Sequence, residues 1–528
     1  MRTNPVTSVP SLAEAATWSP DQIVQTMGKL TSELQSVQQQ VEWFRRQLFG
    51  QKSEKRHLEP DPKQMTLGEL PVPETAPEPA GKKVAAHTRG ARSRDCAADG
   101  SDLFFDETKV PVETIELPNP EIEGLAPDQY EVLSHKTSFR LAQRPGSYVI
   151  LKYVRPVIKR LDTQTLSAAP APVGVLEGSR ADVSFVAGLL VDKFCYHQPL
   201  YRQHQRLGDN GITVSRPWLT QIGQQGIGLI EPIYAAQFDS IRLSRVKLMD
   251  ETPIKAGRAG PGKMKGGYFW PVYGEHDEIC FAFHPSRQGK HIRETLGAGP
   301  PPKDAVLVTD GYEAYAAYAR TMGLTHAQCW AHTRRKFFDA QMLEPERCGE
   351  ALEMIGVLYA VEKHIRDHDL VGEKLLAWRQ THARPIVERL FAWIDACFEA
   401  QGLLPSSPLT KALAYARERR EGLSVYLTDP DVPIDTNQIE RTLRVIPMGR
   451  RNWLFCWTEL GAKQVGIIQS LLTTCRLHDI DPYTWLVDVL QRVGQHPAAD
   501  VAQLTPRLWK QHFADNPLRS DLERVAGK

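Results

Sequence analysis

Three acids that are far apart in the chain offer the clearest chemistry in this sequence. Asp250 closes the strand-like run "SRVKLMD", Asp310 closes the apolar run "AVLVTD", and Glu440 lies in "PIDTNQIERTLR", residues 433–444. Carboxylates held a few ångströms apart repel each other, which costs stability unless a cation sits between them. Oxygen-only ligands suit Mg²⁺ or Mn²⁺, which keep waters and accept phosphate oxygens as further ligands. Such a site can hold two metal ions about 3.5–4 Å apart and stabilise in-line attack at phosphorus. Each acid also has a plainer reading. An Asp before Gly at a strand end is often a turn or helix cap. Asp435, with Gln438 three residues on, matches a capping box. Glu440 and Arg444 are one helical turn apart, and an exposed pair of that kind contributes only a few tenths of a kcal/mol. For the two strand-end aspartates taken together, the two readings stand level. Glu251 and Asp435, adjacent to the motif acids, are the second choices, and Asn437 shares a helical face with Glu440.

Around the acids lie groups suited to phosphate. "THAQCWAHTRRKFFDA" carries His326, Cys329 and His332 at steps of three, followed by Arg334, Arg335 and Lys336. Three ligands are too few for a closed zinc site. Cys329 and His332 therefore remain second-choice site residues. Arg441, Arg444, Arg450, Arg451 and Asn452 surround and follow Glu440. Phosphate contacts from such side chains make binding strongly salt-dependent.

The elements that must position these groups follow from hydrophobic period and turn signals. After "SRVKLMDETPIKA" come two strands around the polar turn Gly274–Asp277, a short helix at "KHIRETLGA", the "AVLV" strand, and a helix from near Tyr312. The order β(Asp)-β-β-α-β(Asp)-α is the opening of a ribonuclease-H-like fold. Residues 241–343 form its first part, 344–428 read as a helical insertion, and 429–490 complete the core and carry the third acid. Residues 491–528 read as a C-terminal tail. Upstream, 103–165 alternate as a small β-rich unit whose last strand bears Lys152, Arg155, Lys159 and Arg160, either a DNA-facing strand or the charged outer face of a half-buried sheet. Residues 170–240 are helical; Ser215 is placed as a cap with Pro217 just inside, which suits a helix-turn-helix or an ordinary packing unit. Ile23, Met27, Leu30, Leu34, Val37, Val41, Phe44 and Leu48 alternate steps of four and three, a heptad seam. That seam, Ile23–Leu48 within an N-terminal helix of residues 1–50, predicts a coiled coil, with a homo-oligomer as the simplest partner and another protein as the alternative; the plainer reading is an amphipathic helix packed on the body of the same chain. Residues 51–102, rich in Pro, Glu, Ala and Lys, read as a linker. The fold class is thus α+β multidomain.

Composition sets broad bounds. A formal net charge of +1 does not advertise a nucleic-acid partner, so any basic surface must be local. No stretch is apolar for the roughly 18 residues a membrane helix needs. The N-terminus lacks the apolar core of a signal peptide, and the eight scattered cysteines form no CxxC pair, so the expected setting is cytosolic and reducing.

The ordered set of segments resembles the transposases of the insertion-sequence-66 family. The resemblance rests on "LFGQKSEK", "DKFCYHQPLYRQHQRL", "MDETPIK", "VTDGYEAY", "CWAHTRRKF", "PIDTNQIERTLRVIPMGRRNWLF" and "DIDPYTWLVDVL", and it covers nearly the whole chain. It implies a ribonuclease-H-like core with a DDE triad, the acids falling on Asp250, Asp310 and Glu440 as metal ligands for two Mg²⁺ (or Mn²⁺) ions. It further implies double-stranded DNA as partner, both element ends and target. It also implies nicking and strand transfer without a covalent protein–DNA intermediate, small accessory proteins encoded by the element, and a bacterial, nucleoid-associated location. The family usually carries paired cysteines in a zinc-binding segment after the linker. Residues 84–160 hold only Cys96, so a degenerate zinc-finger region and no structural zinc are expected. Two rivals are a ribonuclease-H-like nuclease or junction resolvase, and a non-catalytic DNA-binding regulator.

Overall fold

The computed structural model describes Trp18, Ser19 and residues 104–526, except 124–125, 127–128, 145, 163, 261, 401–402, 454–455 and 457. The heptad seam, the linker and Cys96 lie outside the described residues. Residues Gly100–Lys528 form one compact unit. No helix among the described residues is long and apolar enough to cross a membrane.

The unit opens with a four-stranded sheet. β1 (Val112–Glu116) pairs in parallel with β3 (Ser147–Arg160), and β2 (Tyr130–Arg144) and β3 form a long antiparallel hairpin from Tyr130↔Arg160 to Arg144↔Ser147. β4 (Leu166–Ala168) pairs with the far end of β3. The basic residues of β3 are largely engaged within the protein. Arg155 donates to the Ala169 carbonyl, Arg160 pairs with Asp162, and Lys152 lies over the Phe139 ring.

Four helices follow: α1 (Val183–Phe194), α2 (Leu200–Asp209), α3 (Arg216–Leu229) and α4 (Glu231–Leu243). α1 begins where Asp182 accepts from the Ser184 backbone N–H, and it is apolar on nearly every side, so it is buried. α3 starts as the sequence predicts, with Ser215 accepting from Trp218 N–H and Pro217 in its first turn. Its inner face, Leu219, Ile222 and Ile227, is buried, and Trp218 stacks on Phe185 of α1. Only the opposite face of α3 is free to meet another molecule.

The second sheet comprises β5 (Val246–Met249), β6 (Thr252–Gly260), β7 (Lys263–Gly274), β8 (Ile279–His284), β9 (Val306–Thr309) and β10 (Thr325–Gln328). β5 and β6 pair with the same edge of β7 in one register, Lys247↔Gly274 through Thr252↔Phe269. They are two halves of one strand, interrupted at Asp250 and Glu251. β8 pairs with the other edge of β7, while β9 joins β5 and β10 joins β9, both in parallel. The order is therefore β8-β7-β5/β6-β9-β10, with β7 running against the rest.

Between and after these strands come α5 (Lys290–Leu296), α6 (Glu313–Met322) and α7 (Trp330–Ala340). The insertion supplies α8 (Pro345–Asp367), α9 (Gly372–Trp378), a five-residue π-helical turn, α10 (Arg384–Glu399), α11 (Pro408–Glu418) and α12 (Arg420–Ser424). Then come α13 (Asn437–Leu443), α14 (Val445–Trp453), α15 (Glu459–Leu477), α16 (Pro482–Arg492), α17 (Pro506–His512) and α18 (Asp521–Ala526). α15 covers the outer edge of β8. Its Ser470 and Thr474 hydroxyls accept from the Phe281 and Ile279 N–H groups that a bare edge would leave unpaired. Gly466, one turn earlier, permits the approach: a Cβ there would lie 2.4 Å from the Phe281 carbonyl oxygen.

The helical unit, the six-stranded sheet, the insertion and much of the C-terminus share one apolar core. The C-terminal segment is not a free tail. Trp509 and Leu522 are buried, Tyr153 donates to Asp521, and Arg507 pairs with the buried Glu278. Its apolar residues are spaced too irregularly to read as an amphipathic helix, yet Leu504, Trp509 and Leu522 are buried in the body.

Candidate active site

β5 and β9 run side by side, pairing Val246 with Val306 and Leu248 with Val308. Two residues further along each strand stand Asp250 and Asp310. Both strands are buried throughout and both lose their regular pairing at the acid. Neighbouring strands lie about 4.8 Å apart, so the two carboxylates share one end of the sheet. Each acid is held locally. Asp250 accepts from Glu251 N–H at 2.7 Å and Asp310 from Tyr312 N–H at 2.9 Å. Gly311 follows Asp310 in a tight place: a Cβ would meet the Tyr415 hydroxyl at 2.6 Å and Arg419 Nε at 2.7 Å, and both side chains would have to shift. Burial pushes the Asp250 carboxyl up to about 7; the charges of Glu251 and Asp310 push the same way, while the Glu251 N–H and His332 oppose them.

Glu251 has a different fate. Its side chain is only 4% exposed, and both carboxylate oxygens are taken, one by Arg287 and the other by the Tyr315 hydroxyl at 2.6 Å. It is a neutralised structural acid beside the site. Sequence spacing gives no hint of this, because its partners are 36 and 64 residues away.

α7 leaves the end of β10, next to Asp310, and is tied to the segment that carries Glu440. Trp330 N–H donates to the Ile434 carbonyl, and the backbone N–H and hydroxyl of Thr436 both donate to Cys329 Sγ, at 3.3 and 3.2 Å. Cys329 is fully buried, and burial pushes its thiol up to about 11. Its sulfur anchors the start of α13. One turn on, His332 presents Nε2 to Glu440 Oε1 at 3.8 Å, and its imidazole lies within electrostatic reach of Asp250. Among the described residues the ion-pair partner of Glu440 is His332, where the sequence offered Arg444.

The expected capping box does not form. Asp435 accepts from the backbone and side chain of Asn437, so these two satisfy each other just before α13, while Thr436 occupies the capping position. Gln438 does not reach back: the β7–β8 hairpin draws it off, and its amide donates to the Tyr273 hydroxyl and Asp277.

The basic candidates divide. Ala331, His332, Arg334, Arg335, Phe338 and Glu440 line a cleft of about 230 Å³. Lys336, also exposed, lies over the Tyr415 ring at 5.4 Å instead. Arg441 is within electrostatic reach of Tyr273, and Arg444 and Arg451 are exposed. Arg450 donates to the Pro253 carbonyl and Asn452 to the Met448 carbonyl, so these two brace α14. Of all these cations, Arg334 and Arg335 share a cleft with a candidate acid.

Comparison with known proteins gives the family. Residues 178–464 match the family described as "Transposase IS66 family", residues 470–507 the "IS66 C-terminal element", and residues 36–99 the "Transposase C of IS166 homeodomain". The first match covers more than half of the 528 residues, and the chain belongs to the IS66 transposase family. A role in transposition and DNA partners follow from that membership, and divalent metal ions generally serve such enzymes. The chain is also similar to two proteins of Sinorhizobium fredii (strain NBRC 101917 / NGR234), both described as uncharacterized. Protein y4hP is 28% identical over 507 residues, 91% of this chain and 89% of its own length. Protein y4jD is 26% identical over 514 residues, 93% of this chain and 98% of its own.

Proposed function

We propose that this transposase works by a DDE mechanism on a ribonuclease-H-like core, with Asp250, Asp310 and Glu440 as the three acids. The observation that carries this reading is the equivalent placement of Asp250 and Asp310 at the ends of adjacent parallel strands. The sheet order β8-β7-β5/β6-β9-β10, with β7 alone reversed, is the order such a core requires. Glu440 enters from α13, which the ties at Cys329 and Trp330 hold against α7.

The donor set fits a hard divalent cation. The ligands are carboxylate oxygens, Glu251 is withdrawn by Arg287 and Tyr315, and the upward shift of Asp250 reflects negative charge crowded where solvent is scarce. Mg²⁺ or Mn²⁺, as one ion or a pair, would supply activation of an oxygen nucleophile and stabilisation of charge at phosphorus. The residues of the chain do the rest. Asp250 would hold the cation through its carboxylate. Arg334 and Arg335 hold phosphates beside Glu440, His332 orients the Glu440 carboxylate, and Arg287 with the Tyr315 hydroxyl occupies both oxygens of Glu251, which keeps that acid from the cation. The substrates are the terminal repeats of the insertion element and a target duplex.

The test is a cleavage and joining assay on element-end duplex DNA with Mg²⁺ or Mn²⁺. This reading expects a nick that frees a 3′-OH, and joining of a pre-cut end to target DNA. Cleavage without joining would assign a nuclease or resolvase, and binding without cleavage in either metal a regulator.

A further inference from the structure

We propose that His284, His291 and Glu294 form a second metal site, one for a zinc-class divalent cation, separate from the acid cluster. His284 ends β8, while His291 and Glu294 are one turn apart on α5. One ligand atom from each lies within 4.8 Å of the others. His284 Nδ1 is 3.3 Å and His291 Nδ1 is 2.6 Å from the same carboxylate oxygen, Oε2 of Glu294. The remaining ring nitrogens are also spoken for: His284 Nε2 meets the Thr295 hydroxyl at 2.9 Å and His291 Nε2 meets the Ser286 hydroxyl at 2.8 Å.

That outer pattern is the one metal-binding histidines use, with the far nitrogen held by an oxygen so that the near one presents its lone pair. With both Nε2 atoms protonated toward the hydroxyls, two Nδ1 lone pairs and a carboxylate oxygen crowd within 4.8 Å of one another. Three acceptors repel there, and a cation relieves all three at once. Without a cation, a shared proton between His291 and Glu294 relieves one contact only.

The donor set selects the metal. Two imidazoles and one carboxylate with positions left open suit Zn²⁺ and its late first-row neighbours, and suit Mg²⁺ poorly. Lys290 and Lys463 lie within electrostatic reach of His284. A cation must therefore be held by direct nitrogen bonds and not by field alone, which also disfavours a hydrated Mg²⁺. The rings now stack, with centroids 4.5 Å apart and planes at 21°. Coordination needs one ring to turn about its Cβ–Cγ bond. His284 is half-buried, and the Glu294 side chain, 50% exposed, can follow and admit water to the open positions. Bound metal would pin the end of β8 to α5 and fix the loop between them, from which Arg287 reaches Glu251.

The test uses full-length protein carrying Asp250→Asn and Asp310→Asn, so that the acid cluster does not compete. Co²⁺, and separately Zn²⁺, are titrated by calorimetry and visible absorption at pH about 7.5, where an ordinary imidazole is neutral. One equivalent should bind, with Co²⁺ ligand-field bands and a raised Tm. Glu294→Gln, an exposed change that leaves the core intact, and His291→Gln should each weaken binding by more than about tenfold, since loss of a mere supporting partner already costs about that. Absence of binding, or binding that neither substitution weakens, would overturn the site and leave a His–Glu–His hydrogen-bond cluster.

Discussion

Asp250 and Glu251 are neighbours in sequence with opposite environments. Glu251 is paired with Arg287 and Tyr315, while burial pushes the Asp250 carboxyl up to about 7 and the charges of Glu251 and Asp310 add to the shift. A carboxyl raised in the fold binds a proton the unfolded chain has released, so the metal-free protein loses stability as pH rises from the usual carboxylate range towards 7. A divalent cation competes with that proton. The rise in Tm caused by saturating Mg²⁺ should be larger at pH about 8 than at pH about 6, and Asp250→Asn should remove most of the difference. Equal Mg²⁺ shifts at both pH values would place the titrating group elsewhere. The strand-end positions of Asp250 and Asp310 were legible in the sequence because each closes an apolar run. The roles of Glu251 and Cys329 were not: the partners of Glu251 are tens of residues away, and Thr436 lies 107 residues from Cys329.

At the scale of elements, the insertion braces the approach to Glu440. Arg379, 3% exposed in the π-helical turn, pairs with the buried Glu362 and donates through Nη1 to the carbonyls of Tyr426, Asp429 and Val432. Those carbonyls belong to the segment that leads into α13. Arg379→Met leaves Glu362 buried without its partner and should cost about 3–5 kcal/mol in urea unfolding, and adding Glu362→Leu should recover part of it. A second contact is equally specific. Gly466→Ala forces α15 away from the edge of β8 and should cost about 1–3 kcal/mol by the same measurement. The hairpin β7–β8, α5 and the β9 strand follow from alternation and turn signals, and the structure has them where the sequence puts them. β6 and β10 were harder to see. β6 contains Pro253 and two glycines, which usually argue against a strand, and β10 is four half-polar residues, "THAQ". The capping box at Asp435 failed because a local motif lost Gln438 to a tertiary partner, the β7–β8 hairpin.

For the whole molecule, segments that differ in composition and period still merge into one core from residue 105 to 513. Period reads the elements, but which apolar faces meet depends on tertiary packing that no local window contains. The net charge of +1 conceals where DNA would bind, because the useful cations are local. Arg334 and Arg335 line the cleft with Glu440, whereas Arg450 is spent on the Pro253 carbonyl. Replacing Arg334 and Arg335 by Ala should lower the slope of log affinity for element-end DNA against log salt by about 1 for each cation lost. Arg450→Ala should leave the slope unchanged and lower Tm. The reverse pattern would move the DNA path off the cleft and onto α14.

The most direct measurement compares Asp250→Asn, Asp310→Asn and Glu440→Gln with the unaltered protein, scoring Mg²⁺-dependent nicking and binding of the same element-end duplex. Each substitution should reduce the nicking rate by at least about 10³-fold, roughly 4 kcal/mol of barrier, and leave DNA affinity within a few-fold. A Glu440→Gln protein that still nicks at a rate near that of the unaltered protein would contradict the third acid, and loss of binding in step with nicking would contradict the catalytic role of all three.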